Sequence, residues 1–320
     1  VSTPLPVGPG TPYVTPPLLV QAPTGISWSS VPAGSGVTPA QRVAAQANLC
    51  QYATAAVDEI VNQPLRATIN TEQYSGPDYR MTIQQSTGNI RMIMARWPIL
   101  SILAAKVSPN VLPRSWRSLP DGYWDIEFPP IGLYGTSAPS AAGEGGQSII
   151  LAPYAGWCNG RNGFVANVQY INGWPHAGLI ADAAAGDSEI LVDDCTGWAI
   201  TSEASGQVGA AGTVYDPAGQ EIVKVTASSA TSGPGTLTLS QGLGAPHTAG
   251  TMVSTLPGSV VWAAILLCAD EALTRGATST TVQTIPGGGT TSGTGGGAGL
   301  NSRDLKASAK MLLRPYARTI

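Results

Sequence analysis

Apolar spacing divides the chain into helical segments flanking a long middle of β-type alternation. From Thr38 onward Val43, Ala47, Cys50, Ala53, Val57, Ile60 and Val61 form one stripe at helical spacing, which Pro64 ends. Thr38-Pro39-Ala40-Gln41 predicts the start of that helix, with Thr38 as N-cap, Pro39 at the first position and Gln41 closing a capping box. A second helix, VVWAAILLCADEALTR, follows Pro257-Gly258-Ser259, with Gly276 placed to terminate it. Its first half is apolar on every side, which predicts burial in a core or between subunits. A third begins at Asn301 or Ser302, with Asp304 favourable in its first turn.

Between the first two helices the period is two. RATINTEQY, DYRMTIQQ, NIRMIMARW and ILSILAAKV read as strands, DGYWDIEF and QSIILAPY as a further pair, and FVANVQYINGWP as a strong last one. Over 178–256 the texture changes to short strands at hairpin spacing with glycine in nearly every turn, which predicts a small all-β module. The expected fold class is α+β. A small helical bundle (38–63, 259–275, 301–314) accompanies strands over 65–175, with a small β barrel or sandwich inserted. Residues 1–37 carry eight prolines and read as an extended arm packed on a neighbour. The core domain takes 38–177 and 257–285, a glycine-rich linker 286–299, and a docking helix with tail 300–320.

Composition sharpens this picture. Only 11 % of residues are charged, so much of the surface is expected to be covered by neighbouring subunits. The net charge of −3 disfavours a globally basic nucleic-acid binder while leaving local basic patches open. The N-terminal stretch has neither the basic nor the continuous apolar region of a signal peptide, and the apolar run 260–269 is too short to span a bilayer. The expectation is a soluble protein made in the cytoplasm, with no membrane contact. Cys50, Cys158, Cys195 and Cys268 follow no metal-ligand spacing and read as free buried thiols.

Candidate chemistry is sparse. The glycines of 287–299 are followed by no lysine and lack the strand–helix setting of a phosphate loop. His176 and His247 both follow proline in loop sequences, and a nucleophile–histidine site would need one of them. Asp58-Glu59 and Asp270-Glu271 read as solvated or interfacial charges, and Asp193-Asp194 as turn residues. No catalytic, cofactor or metal residue is assigned. The last segment is more informative: Lys306, Lys310, Arg314 and Arg318 recur every fourth residue beside apolar Leu305, Leu312, Leu313 and Tyr316. Hung on a glycine string, such a helix is suited to docking on a partner. Val260, Trp262 and Leu266, with Leu18 and Trp28 of the arm, are the expected subunit-interface residues.

Four segments together resemble the head–tail connector (adaptor, or head-completion) proteins of tailed bacteriophages. They are AQANLCQYATAAVDEIVNQPL, RMIMARWPILSILAAKV, the strand end VQYINGWP and the helix LPGSVVWAAILLCADEAL. In the family that helix follows shortly after the Gly-Trp-Pro; here residues 176–256 intervene, and they are similar to small β modules of phage structural proteins. The resemblance covers 38–110 and 163–276 as pattern rather than as unique residues. It implies a non-enzymatic virion protein of the head–tail neck, assembled in the host cytoplasm as a ring, commonly a dodecamer, beneath the portal. Its expected partners are copies of itself, the portal protein, downstream stopper and tail-terminator proteins, and double-stranded DNA passing through the bore without sequence-specific binding. The alternatives are another neck or tail component, a capsid-associated protein, or a carbohydrate-active enzyme with an accessory β module.

Overall fold

The structure, a computed structural model, describes residues 10–32, 36–75, 78, 80–83, 88–120, 122–127, 148–152, 163–202, 206–216, 219–275, 282–285, 289–292 and 302–317. The described residues mix α and β structure: four α-helices and several antiparallel sheets, one of them curled into a half-barrel. Among the described residues no helix is long and apolar enough to cross a membrane.

The helices are α1 (Pro16–Gln21), α2 (Pro39–Val61), α3 (Gly258–Thr274) and α4 (Ser302–Leu313). Helix α2 starts as its sequence predicts: Thr38 and Gln41 form a reciprocal capping box with Pro39 at the first position. It ends at Val61, three residues before Pro64, because Asn62 adopts the left-handed conformation with φ +57°. Cys50, Ala53, Val57 and Val61 of the predicted stripe are buried, and the stripe departs from the prediction at its N-terminal end and by including polar residues. Val43 is exposed, whereas Gln46 and Thr54 are buried beside Leu49, Cys50, Ala53 and Val57. The two polar members receive the N-terminal arm: Gln46 Nε2 donates to the Trp28 carbonyl at 3.1 Å, and Thr54 Oγ1 accepts from the Tyr13 amide at 2.9 Å.

The arm is therefore not extended over a neighbour within residues 10–32. Pro16 and Pro17 occupy the first turn of α1, where a missing N–H costs nothing. Tyr13, Val14, Leu19, Ile26, Trp28 and Val31 are buried against this chain's own helices. The arm residues 1–9 lie outside the described residues.

The strands of the first half are β1 (Thr68–Ser75), β2 (Met81–Ile83), β3 (Ile90–Ile93), β4 (Ile99–Pro109), β5 (Arg117–Ser118), β6 (Trp124–Glu127), β7 (Ser148–Leu151) and β8 (Phe164–Asn172). They make two antiparallel four-stranded sheets, in the orders β1-β8-β4-β5 and β2-β3-β7-β6. Tyr74, Val107, Val168 and Tyr170 of the first sheet share one interior with Met81, Met92, Ile149 and Leu151 of the second. The pair read from DGYWDIEF and QSIILAPY is present as β6 and β7.

The next strands are β9 (His176–Gly178), β10 (Glu189–Val192), β11 (Ala199–Ser202), β12 (Gly206–Gly209), β13 (Ala211–Asp216), β14 (Gly219–Ser228), β15 (Gly235–Leu239) and β16 (Met252–Ser254). Six of them form a sheet ordered β10-β15-β14-β13-β16-β9, while β11 and β12 pair separately. A register shift between Val225 and Ala227 bends β14 against β15, the local irregularity by which a sheet curls. Trp198, Val214, Val225, Leu237 and Val253 fill its interior. The first and last strands of this region, β9 and β16, pair with one another, so the chain enters and leaves it at one place.

Residues 286–299, expected to be a featureless linker, include part of a hairpin: β17 (Val282–Ile285) pairs with β18 (Gly289–Ser292). Val282, Thr284, Ile285, Thr290 and Thr291 supply the extended propensity that the glycines around them lack.

Candidate docking groove

Helix α4 bears most of the residues expected to meet a partner, and its two faces have separate fates. Leu305, Ala309, Leu313 and Tyr316 are buried in the core formed with α2 and α3, and Leu312 packs at its edge. The Tyr316 hydroxyl is 2.9 Å from Ser259 Oγ, and its ring meets Trp174 edge-on at 5.7 Å. Gln63 Nε2 donates to the Tyr316 carbonyl at 3.5 Å, while Gln63 Oε1 accepts from the Trp97 amide at 3.3 Å. The apolar face expected to dock elsewhere is thus taken up by this chain's own α3. The amphipathic pattern is right; the surface that satisfies it is the neighbouring all-apolar helix.

Lys306, Lys310 and Arg314 remain exposed and line a groove of about 780 Å³ between α2, α3 and α4. Arg318 lies outside the described residues. Helix α2 contributes Tyr52, Ala56, Glu59 and Ile60, α3 contributes Leu267 and Asp270, and Met311 stands beside the cations with 77 % exposure. The groove has an apolar floor, a basic wall on α4, and two carboxylates opposite. Among the described residues no ion pair joins the three cations to those carboxylates. Oδ1 of Asp270 is buried without a hydrogen-bond partner. Asp270 was legible as the first charge in an otherwise apolar helix, and Met311 as an apolar residue inside the charged stripe. Glu59 was legible only as one of an acidic pair on a polar face, and Tyr52 carried no signal.

The expected subunit-interface residues lie elsewhere. Val260, Leu266 and Trp28 are buried by this chain alone, and Leu18 and Trp262 pack partly buried against the same core. Their burial is intramolecular, because the arm folds back onto α2 and α3 rather than away from them.

The histidines serve the packing of the arm and the half-barrel. His176 is buried with Nε2 donating to the carbonyls of Thr11 and Pro12, both at 3.1 Å, which leaves Nδ1 to accept from Ser254 Oγ at 2.8 Å. Burial lowers its pKa to about 4, so the ring is neutral. Asp193 completes this hold on the arm: Oδ2 accepts from the Thr11 hydroxyl at 2.7 Å, and Oδ1 from the Gly178 amide at 2.7 Å. His247 lies between Asp216 at 2.9 Å and Glu221 at 2.7 Å. Burial alone would lower its pKa, but the two carboxylates outweigh that and raise it.

Asp58 departs from the expected solvated charge. Its Oδ1 accepts from the Tyr13 hydroxyl at 2.6 Å and the Leu65 amide at 3.2 Å, and burial raises its pKa to about 6 despite those bonds. The Tyr13 oxygen in turn accepts from the Leu65 and Arg66 amides at 2.9 and 3.1 Å. A second polar hub, unpredicted, is Glu72. It accepts from the Tyr74 and Tyr170 hydroxyls, from the Ala95 amide at 3.0 Å, and from Arg80 at 3.3 Å. Burial, with Glu72 adding to it, pushes both tyrosines well above their usual range.

Cys50, Cys195 and Cys268 are free and buried, as expected, Cys50 and Cys268 in apolar helical settings, and Cys158 lies outside the described residues. Among the described residues no group of three or more His, Cys, Asp or Glu side chains is arranged to hold a metal ion. Comparison with protein-family models, curated proteins and solved structures returned no match.

Proposed function

We propose that this chain is a structural virion protein of the head–tail connector kind. It forms a ring beneath the portal of a tailed bacteriophage, joins head to tail, and leaves a bore for double-stranded DNA. In this reading α2, α3 and α4 act as a small helical bundle, and the half-barrel is a module inserted into the connector core.

One observation carries the reading: the four segments that resemble connector proteins converge on a single junction. Trp97 of the RWP segment meets Trp174 of the Gly-Trp-Pro segment at a ring distance of 6.1 Å. The Trp174 amide donates to the Leu65 carbonyl just beyond α2, and the Gly173 amide to the Pro98 carbonyl, at 2.8 and 2.9 Å. Both tryptophans share their core with Val260, Val261 and Ala264 of α3. Segments scattered along the sequence thus make one framework of helices and strands, as a shared architecture requires. The overall charge of −3 suits a channel that must let DNA slide, because phosphate affinity grows with the number of Lys and Arg contacts.

Negative-stain electron microscopy of the purified chain, alone and mixed with its cognate portal, tests this. Closed rings that stack coaxially on the portal are expected. A chain that stays monomeric and shows no portal affinity would remove the reading.

A further inference from the structure

We infer that the α2–α3–α4 groove is a docking site for an acidic amphipathic helix of another protein, held with its carboxylates along α4. Lys306, Lys310 and Arg314 follow each other at four-residue intervals, so their charges are strung over about 12 Å of one wall. A helix laid beside α4 with carboxylates at the same interval meets them in register. Its apolar flank then covers the floor and Met311, the helix-in-groove mode of recognition.

The opposite wall sets polarity. Asp270 and Glu59 line that wall, so a lysine or arginine on the far flank of the incoming helix would meet their carboxylates. The same wall argues against a nucleic-acid strand. Asp270 and Glu59 face the space that phosphates would fill, and an apolar floor offers a sugar–phosphate backbone nothing. This inference does not rest on the ring reading: the groove is built within one chain, so a failure of ring assembly would leave it standing.

The test uses the full chain and a fluorescein-labelled model helix of about 18 residues, long enough to be helical, with glutamate at every fourth position and leucine along the adjoining face. Anisotropy should show saturable binding that weakens at least about tenfold when glutamine replaces the glutamates. Lys306→Glu/Lys310→Glu should lose binding to a similar degree while keeping its circular dichroism and melting temperature. A peptide carrying lysine in place of glutamate should then bind that double variant better than wild type. Four results would each overturn the proposal. One is no binding to the full chain; a second is binding indifferent to the glutamates or to the double substitution. A third is binding seen only after residues 318–320 are removed, which would make the chain's own tail the occupant. The last is a duplex oligonucleotide that binds wild type and loses affinity in the same double variant.

Discussion

Gly173 gives the account a sharp energetic test. It follows β8 with φ of +94°, a region that L residues rarely adopt. A Cβ there would lie 2.5 Å from the Arg66 carbonyl oxygen and 2.8 Å from the Leu65 oxygen. Both are backbone atoms, so relief requires the chain after α2 to move away. That movement strains two hydrogen bonds of the junction, Trp174 N–H to Leu65 O and Ala67 N–H to Trp174 O, both 2.8 Å. For Gly173→Ala the left-handed backbone costs roughly 1–2 kcal/mol. The two weakened bonds add about 1 kcal/mol each, for a total of about 3–4 kcal/mol. Gly250→Ala is the control: φ there is +86°, but an added Cβ meets nothing within 4 Å. It should lose the conformational part alone, about 1–2 kcal/mol. Urea unfolding followed by tryptophan fluorescence measures both. Equal losses in the two variants would mean that the close approach of Gly173 to Arg66 does not hold the junction together.

Other substitutions probe the polar hubs and α4. Glu72 takes the Tyr170 hydroxyl on Oε1 and the Tyr74 hydroxyl on Oε2, so Glu72→Gln leaves one of the two facing an NH2 group, and should cost about 2–4 kcal/mol in chemical denaturation. Asp58 has a folded pKa of about 6 against 3.8 unfolded, so the native state holds the proton more tightly and stability falls as pH rises between those values. Asp58→Asn should flatten melting temperature against pH across that window and recover up to about 3 kcal/mol above it. His247 has the opposite linkage. Its folded pKa is raised, so its contribution is complete below 6.5 and is lost as pH climbs through the raised value. The stability gap between wild type and His247→Gln should therefore be wider at pH 6 than at pH 9. Leu313→Ala opens a cavity under α4, where the side chain is fully buried, and should cost about 2–5 kcal/mol by thermal or urea melting.

Local signals in the sequence were reliable where one residue's chemistry decides the geometry. The Thr38–Gln41 box, the apolar run of α3 and the alternation of β8 each mark an element that is present. What the sequence concealed was where each surface goes. Prolines 16 and 17 suit both an extended arm and a first helical turn, and only Tyr13, received by Thr54 and Asp58, decides for a folded one. The apolar side of α4 asks for a partner without saying whose, and α3 of the same chain supplies it. Asp58 read as a solvated or interfacial charge because Tyr13, the hydroxyl that binds it, comes from the arm, and Glu72 drew no reading because Tyr170 and Ala95 reach it only in the fold. The basic stripe was legible, but the groove was not, since Tyr52, Asp270 and Lys306 come together only when three helices pack.

The central claim is assembly on a portal, and particle mass tests it most directly. Mass photometry of a purified cognate portal ring, before and after addition of this chain, should show one discrete increment. Twelve copies of 32.7 kDa would add about 390 kDa, with no ladder of intermediates at saturation. A portal whose mass is unchanged by excess chain would contradict the account.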